Sequence, residues 1–259
     1  MKRLGKLIVW SAGAAAIWWT YRRLGGSTQG LAQFVQWPAL VIVGGGTALA
    51  LLVSYPVRLL WQSARAVHLA FKEPPKAPDD LIPVFAEWAS RAKRSGMMAV
   101  EREVRRVDDP FLARGLTLVV SGVDSTVVRQ SLEVDHHVSV ERDEEHAQVL
   151  ESAGGYAPTL GIIAAVLGLM RAMQDLSSPA QVGTGIAAAF VATLYGLGAA
   201  NLIFLPLATR LRTYARQHAL RREFTIDGIL ALHGGLHPRL VEERLTGYIT
   251  PATRATEVA

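Results

Sequence analysis

The sequence predicts an all-α membrane protein: four transmembrane helices in two hairpins, plus a cytoplasmic helical domain. Three observations lead there. Ser152–Met170 (19 residues) and Leu176–Thr209 (34 residues) carry no charged side chain, and the only charges between them are Arg171 and Asp175. A second uncharged pair, Leu7–Tyr21 and Leu24–Val57, lies near the N-terminus. In the polar remainder, apolar residues recur at helical spacing and strand-like alternation is scarce.

An uncharged run of roughly 20 residues crosses the ~30 Å hydrocarbon core as a helix. Leu7–Tyr21, the expected first span, has only 15 residues and ends in Trp18, Trp19 and Tyr21, where interfacial aromatics belong. Lys6 and Arg22 flank it and can snorkel to the surface. A cleaved signal peptide is the rival reading. The bulky Trp18, Trp19, Tyr21, Arg22 and Arg23 replace its small-residue cleavage site and favour a retained helix. Gly25–Gly30 reads as a loop and Trp37–Ser54 as span two. Ser152–Met170 is span three. Ser177, Ser178 and Pro179 read as a turn, with span four starting near Gln181 or Val182 and ending at Thr209. The expected organisation is a first hairpin (1–57), a cytoplasmic domain (58–151), a second hairpin (152–209) and a cytoplasmic tail (210–259).

Basic residues set the orientation. Lys2, Arg3 and Lys6, then Arg58, Arg65 and Lys72, then Arg142, then Arg210, Arg212, Arg216, Arg221 and Arg222 flank the spans on one side. Only Arg22, Arg23 and Arg171 lie opposite. The positive-inside rule puts both termini and the long middle segment in the cytoplasm. Arginines facing anionic lipid account for the net charge of +5, so no nucleic-acid partner is needed. The absence of cysteine excludes a disulfide framework and thiolate metal sites.

In the cytoplasmic segment, Pro74, Pro75 and Pro78 form a breaker, after which Asp79 or Asp80 can cap a helix. Leu81, Phe85, Trp88 and Ala92 give that helix one apolar face. Lys93 and Arg94 close it, and Gly96 follows as a C-terminal stop. A second helix carries Val100, Val104 and Val107 on one side, with Glu101 turned away. Pro110 starts a third, with Phe111, Leu112, Leu116 and Val119. Gly122 ends it, and Asp124 or Ser125 opens the next, with Val127, Val128 and Leu132.

Enzyme chemistry finds little support. His136, His137 and His146 lack the i, i+4 spacing that puts two histidines on one helix face, so they and Glu141–Glu145 read as a solvated face. Glu87, Asp108 and Asp109 have no positioned acid–base partner. Gly44, Gly45 and Gly46 lie inside an apolar span with no following Lys-Ser/Thr, so close helix packing explains them better than phosphate binding. The expectation is no enzyme, no cofactor and no resident metal.

Small residues are the stronger pattern. In span three, Gly154, Pro158, Gly161, Ala165 and Gly168 fall on one face; in span four, Ala188, Ala192, Gly196 and Ala200 do the same. Such faces let helices approach closely in lipid; two hairpins offer more small surface than they can bury mutually, so self-association or an inserted partner helix is the expected use of the surplus. Pro158 and Pro206 each free a backbone carbonyl near the cytoplasmic end of a span.

Ala153-Gly-Gly-Tyr-Ala-Pro-Thr-Leu-Gly-Ile-Ile-Ala-Ala-Val-Leu-Gly-Leu-Met170 closely resembles the third span of flagellar stator A subunits, the MotA/PomA family. Gly185–Gly196 and Ala200–Ala208 resemble the fourth. Val41–Thr47, Arg222–Ile229 and His237-Pro-Arg239 extend the match over essentially the whole chain. The resemblance implies a proton- or sodium-driven stator in which five A subunits surround the single helices of two B subunits. The B-subunit aspartate carries the ion, consistent with spans here that hold no carboxylate.

The resemblance also implies residue roles. Pro158 and Pro206 match the family's prolines, and Thr193 its span-four threonine. Ala165 and Ala192 stand where sodium-type members place hydroxyls, which favours H+ as the translocated ion, with Na+ as the alternative. Lys93, Arg94, Gly96 and Glu101 match the pattern that contacts the rotor protein FliG. Gly155 stands where some members have an aspartate, and Glu151 is an unaligned substitute. Two alternatives remain at this point: a TolQ/ExbB-type energiser of another envelope machine, and a non-conducting membrane scaffold.

Overall fold

The computed structural model describes residues 35–72, 78–104, 107–174 and 179–248. The expected first span, its flanking Lys2, Arg3, Lys6, Arg22 and Arg23, the loop Gly25–Gly30, the prolines Pro74 and Pro75, and the residues Asp175–Ser178 lie outside them. Among the described residues every regular element is helical. Three helices are long and apolar enough to cross a membrane, all without the first span.

Span two is helix α1 (Trp37–Ser54), which widens into a π turn over Val41–Gly45. Helix α2 (Val57–Lys72) follows. Beyond a 3₁₀ turn (Pro78–Leu81) comes α3 (Ile82–Ser95), then a second 3₁₀ turn (Met97–Val100) and the short α4 (Glu101–Val104). Helix α5 is Pro110–Val120, and α6 runs for 50 residues from Ser125 to Gln174. Helix α7 (Pro179–Gly198) leads through a π turn (Ala199–Phe204) into α8 (Leu205–His233), and α9 is Pro238–Thr246.

Local chemistry places these boundaries. Pro110 takes the first turn of α5, where its missing N–H costs nothing, and the Asp109 carboxylate accepts from the N–H groups of Phe111 and Leu112. Asp124 accepts from Thr126 N–H ahead of α6. Gly96, at φ +78°, ends α3 in a conformation that a side chain disfavours. Some expectations fail locally. Asp79 and Asp80 sit in the 3₁₀ turn, and α3 begins without a side-chain cap. Val107 lies beyond the short α4. Pro179, expected in the turn, opens α7 because proline suits a first helical turn, whereas the start of span four at Val182 is as expected.

The contacts divide the chain into two compact units. One holds the described residues up to Ala50 with Ala153–Leu202; the other holds Leu51–Ser152 and the residues from Ile203 onward. The first is built from α1, the apolar part of α6 and α7. Ala39 and Val43 pack with Ala164 and Ala192, with Ile42 and Tyr195 against them. The second has the larger core. Phe85, Trp88, Val100, Leu112, Leu116, Leu132, Phe224, Ile229, Leu232 and Leu245 bring α3, α5, α6, α8 and α9 together.

Candidate functional site

In the first unit the small residues of α6 and α7 meet face to face. A methyl group added to Gly161 would lie 3.0 Å from the Ala192 carbonyl oxygen and 3.3 Å from the Gly196 Cα. One added to Gly196 would lie 2.5 Å from the Ala157 carbonyl oxygen and 3.1 Å from the Pro158 Cα. Backbone therefore packs on backbone, and glycine is the residue that leaves room. Gly168 lies against Ala189, and Gly154 and Ala200 are buried. These glycines are consumed within the protomer. On α1, Gly46 makes room for the Leu160 side chain, whereas Gly44 and Gly45 meet nothing within contact distance among the described residues.

Pro158 lies inside α6, so the carbonyl one turn before it lacks its usual helical donor. The Thr193 hydroxyl, half-buried, donates to the Ala189 carbonyl at 3.3 Å. Ala192 is 1% exposed and packs within its own unit; Ala165 is half-buried. A cleft of about 540 Å³ opens beside Ala192, lined also by Ala188 of α7, Ala164 and Arg171 of α6, and Ala39 of α1, among others.

In the second unit, Pro206 occupies the first turn of α8, directly after the π turn. Glu151 is held by both arms of the Arg212 guanidinium, at 2.5 and 2.8 Å. Its carboxylate thus serves a fork-to-fork ion pair between α6 and α8. Gly155, by contrast, is exposed.

Lys93, Arg94 and Glu101 are all exposed, the first two in the last turn of α3. Arg94 is steadied by Ser90, donating to its hydroxyl at 2.9 Å.

The histidine region differs from the solvated face that the sequence implies. His136 and His146 are buried, and His218 of α8 is half-buried against Tyr214, ring centroids 4.4 Å apart. The Ser63 hydroxyl donates its one proton to the Leu59 carbonyl at 2.8 Å. His146 Nδ1, 3.1 Å away, must therefore be the donor to Ser63. Burial pushes the His136, His146 and His218 pKa values below the ordinary 6.5. Tyr248 goes the other way, pushed up to about 12 by burial and its hydrogen bond to Asp227.

Apolar helical stretches of spanning length, α6 and α7 packed on each other through glycine contacts, together with a polar all-helical unit, define a multi-span α-helical membrane protein. The profile of the MotA/TolQ/ExbB proton channel family matches residues 103–223. Motility protein A of Bacillus subtilis (strain 168) is 33% identical over 217 residues, 83% of this chain and 80% of that protein. Chemotaxis protein PomA of Vibrio alginolyticus is 31% identical over 235 residues, 91% of each chain. The flagellar MotAB stator complex of Bacillus subtilis contains a chain matching this one with a TM-score of 0.84 at 31% identity, covering 91% of this chain and 92% of that one. The chain belongs to the MotA/TolQ/ExbB proton channel family, and within it to the flagellar stator A subunits.

Proposed function

We propose that this chain works with a B subunit as the stator of a bacterial flagellar motor, turning ion flow into torque on the rotor. The observation that carries the reading is the pairing of the apolar part of α6 with α7 through Gly161 and Gly196, in stretches (Ser152–Gln174 and Pro179–Gly198) that hold no carboxylate. A proton crossing hydrocarbon needs an ionisable relay, and here it must come from an inserted partner helix. Around that helix the A subunits assemble as a homopentamer in the inner membrane, with both termini and the polar unit in the cytoplasm and lipid outside.

Thr193 is the hydroxyl beside the ion path. Ala165 and Ala192 add no oxygen there. Sodium must be recoordinated by oxygens after losing water, so this lining favours H+ over Na+. Pro158 and Pro206 are the bending points of the conducting helices. Lys93 and Arg94, exposed in the last turn of α3, and Glu101, exposed at the start of α4, meet charges on FliG.

The test is ion flux into vesicles holding either the A subunit alone or the co-expressed A–B complex. Flux is expected from the complex and not from A alone. Conduction by A alone would overturn the division of labour.

A further inference from the structure

The helix that presents Lys93 and Arg94 meets α8 of the second unit at a tight point. Phe85, two turns earlier on α3, is fully buried. Its ring occupies the space that a side chain at Gly228 of α8 would need. A Cβ added there would fall 2.6 Å from Phe85 Cζ, 2.7 Å from Cε2 and 2.8 Å from Cε1. The ring cannot swing aside, because Trp88 meets it edge-on with centroids 5.5 Å apart and Phe224 stands at 6.1 Å. The residue beside this socket is also tied down: Asp227 accepts from Arg244 at 3.2 Å and from Tyr248 at 2.9 Å, while Val241 and Leu245 of α9 are fully buried in the same core.

We infer that Phe85 seated on Gly228 is the mechanical joint through which displacement of α8 reaches the charged end of α3. The two are positioning residues and touch neither ion nor rotor. A ring in direct contact with backbone has no slack, and a close-packed interior passes displacement on. The inference rests on the reading of Lys93 and Arg94 as the rotor contact.

The experiment compares Gly228→Ala, Phe85→Leu and the double variant in the full A–B complex, recording membrane abundance, ion flux and stall torque of tethered cells. Gly228→Ala is expected to keep abundance and flux while losing most of its torque. The double variant, where the shorter side chain leaves room for the new methyl, regains torque. Unchanged torque in Gly228→Ala overturns the joint, as does a double variant no better than that single one. Should Gly228→Ala fail to accumulate, the cysteine-free chain allows spin labels at Ser95→Cys and Arg216→Cys, in complexes diluted with unlabelled subunits. A broadened distance distribution in Phe85→Leu supports the joint, and one identical to the parent overturns it. If Lys93→Glu with Arg94→Glu leaves torque intact while the label distances still broaden in Phe85→Leu, the rotor-contact reading has failed and the joint stands.

Discussion

Gly196 of α7 sits so close to Pro158 of α6 that a methyl group at position 196 would lie 3.1 Å from the proline Cα and 2.5 Å from the carbonyl oxygen of Ala157. The proline thus lies where the two helices have no room for extra volume. Overpacking costs about 1–3 kcal/mol in a close-packed site. Gly196→Val is expected to lower the thermal midpoint of the purified complex, whereas Leu194→Val, at an exposed position of the same helix, changes it little. Equal midpoints for Gly196→Val and the parent would show that the helices part easily.

Pro158→Leu restores a hydrogen-bond donor at the centre of α6. The complex is expected to assemble in normal amounts yet to rotate slowly or not at all, because the bend is lost while the Gly161 contact survives. Co-purification of A and B subunits with rotation assays separates the two effects. Failure of the complex to form would make Pro158 a packing residue.

Reversing Lys93 and Arg94 to Glu together is expected to reduce swimming while membrane abundance stays normal, since both side chains are exposed and belong to no core. Isolated surface pairs contribute only about 0–1 kcal/mol, so the loss reflects a missing partner and not a destabilised domain. Normal swimming in the double variant would remove the charge contact from the account.

The buried imidazoles predict a pH response. Folding holds His136, His146 and His218 below 6.5 mainly through burial, with Asp143 opposing the shift at His146 and His218, and Glu223 opposing it at His136. As pH falls below 6.5 the unfolded chain takes up protons first. Stability that is complete above that value is then lost as pH falls through the lowered folded-state values. The thermal midpoint of the complex should drop between about pH 7 and about pH 5. His146→Asn, whose amide can still donate to Ser63, should flatten that slope. A slope unchanged by the substitution would place the response elsewhere.

Much of this was legible from residues alone. Charge-free runs marked spans two, three and four, and the helix stops at Gly96 and Gly122 followed from glycine chemistry. What escaped has physical causes. His146 is preceded by Glu144 and Glu145, so its surroundings in sequence look wet, while its buried partner Ser63 comes from a distant helix. The use of the glycine stripes was ambiguous because one pattern serves packing within a chain and between chains; the Gly161–Gly196 contact resolves it for those residues. The π turns at Val41–Gly45 and Ala199–Phe204 leave no mark in apolar spacing. The seat of Phe85 on Gly228 joins residues far apart in the chain, which periodicity cannot pair.

The central claim, torque from proton flow through a complex of this chain and a B subunit, is tested most directly by tethered-cell rotation. A non-motile strain lacking its own stators would express only this pair. Rotation should persist in sodium-free buffer and stop when the proton gradient is collapsed with the sodium gradient maintained. Cells that stop on sodium removal alone, and restart on its return, would contradict proton coupling; cells that never rotate would contradict the stator assignment itself.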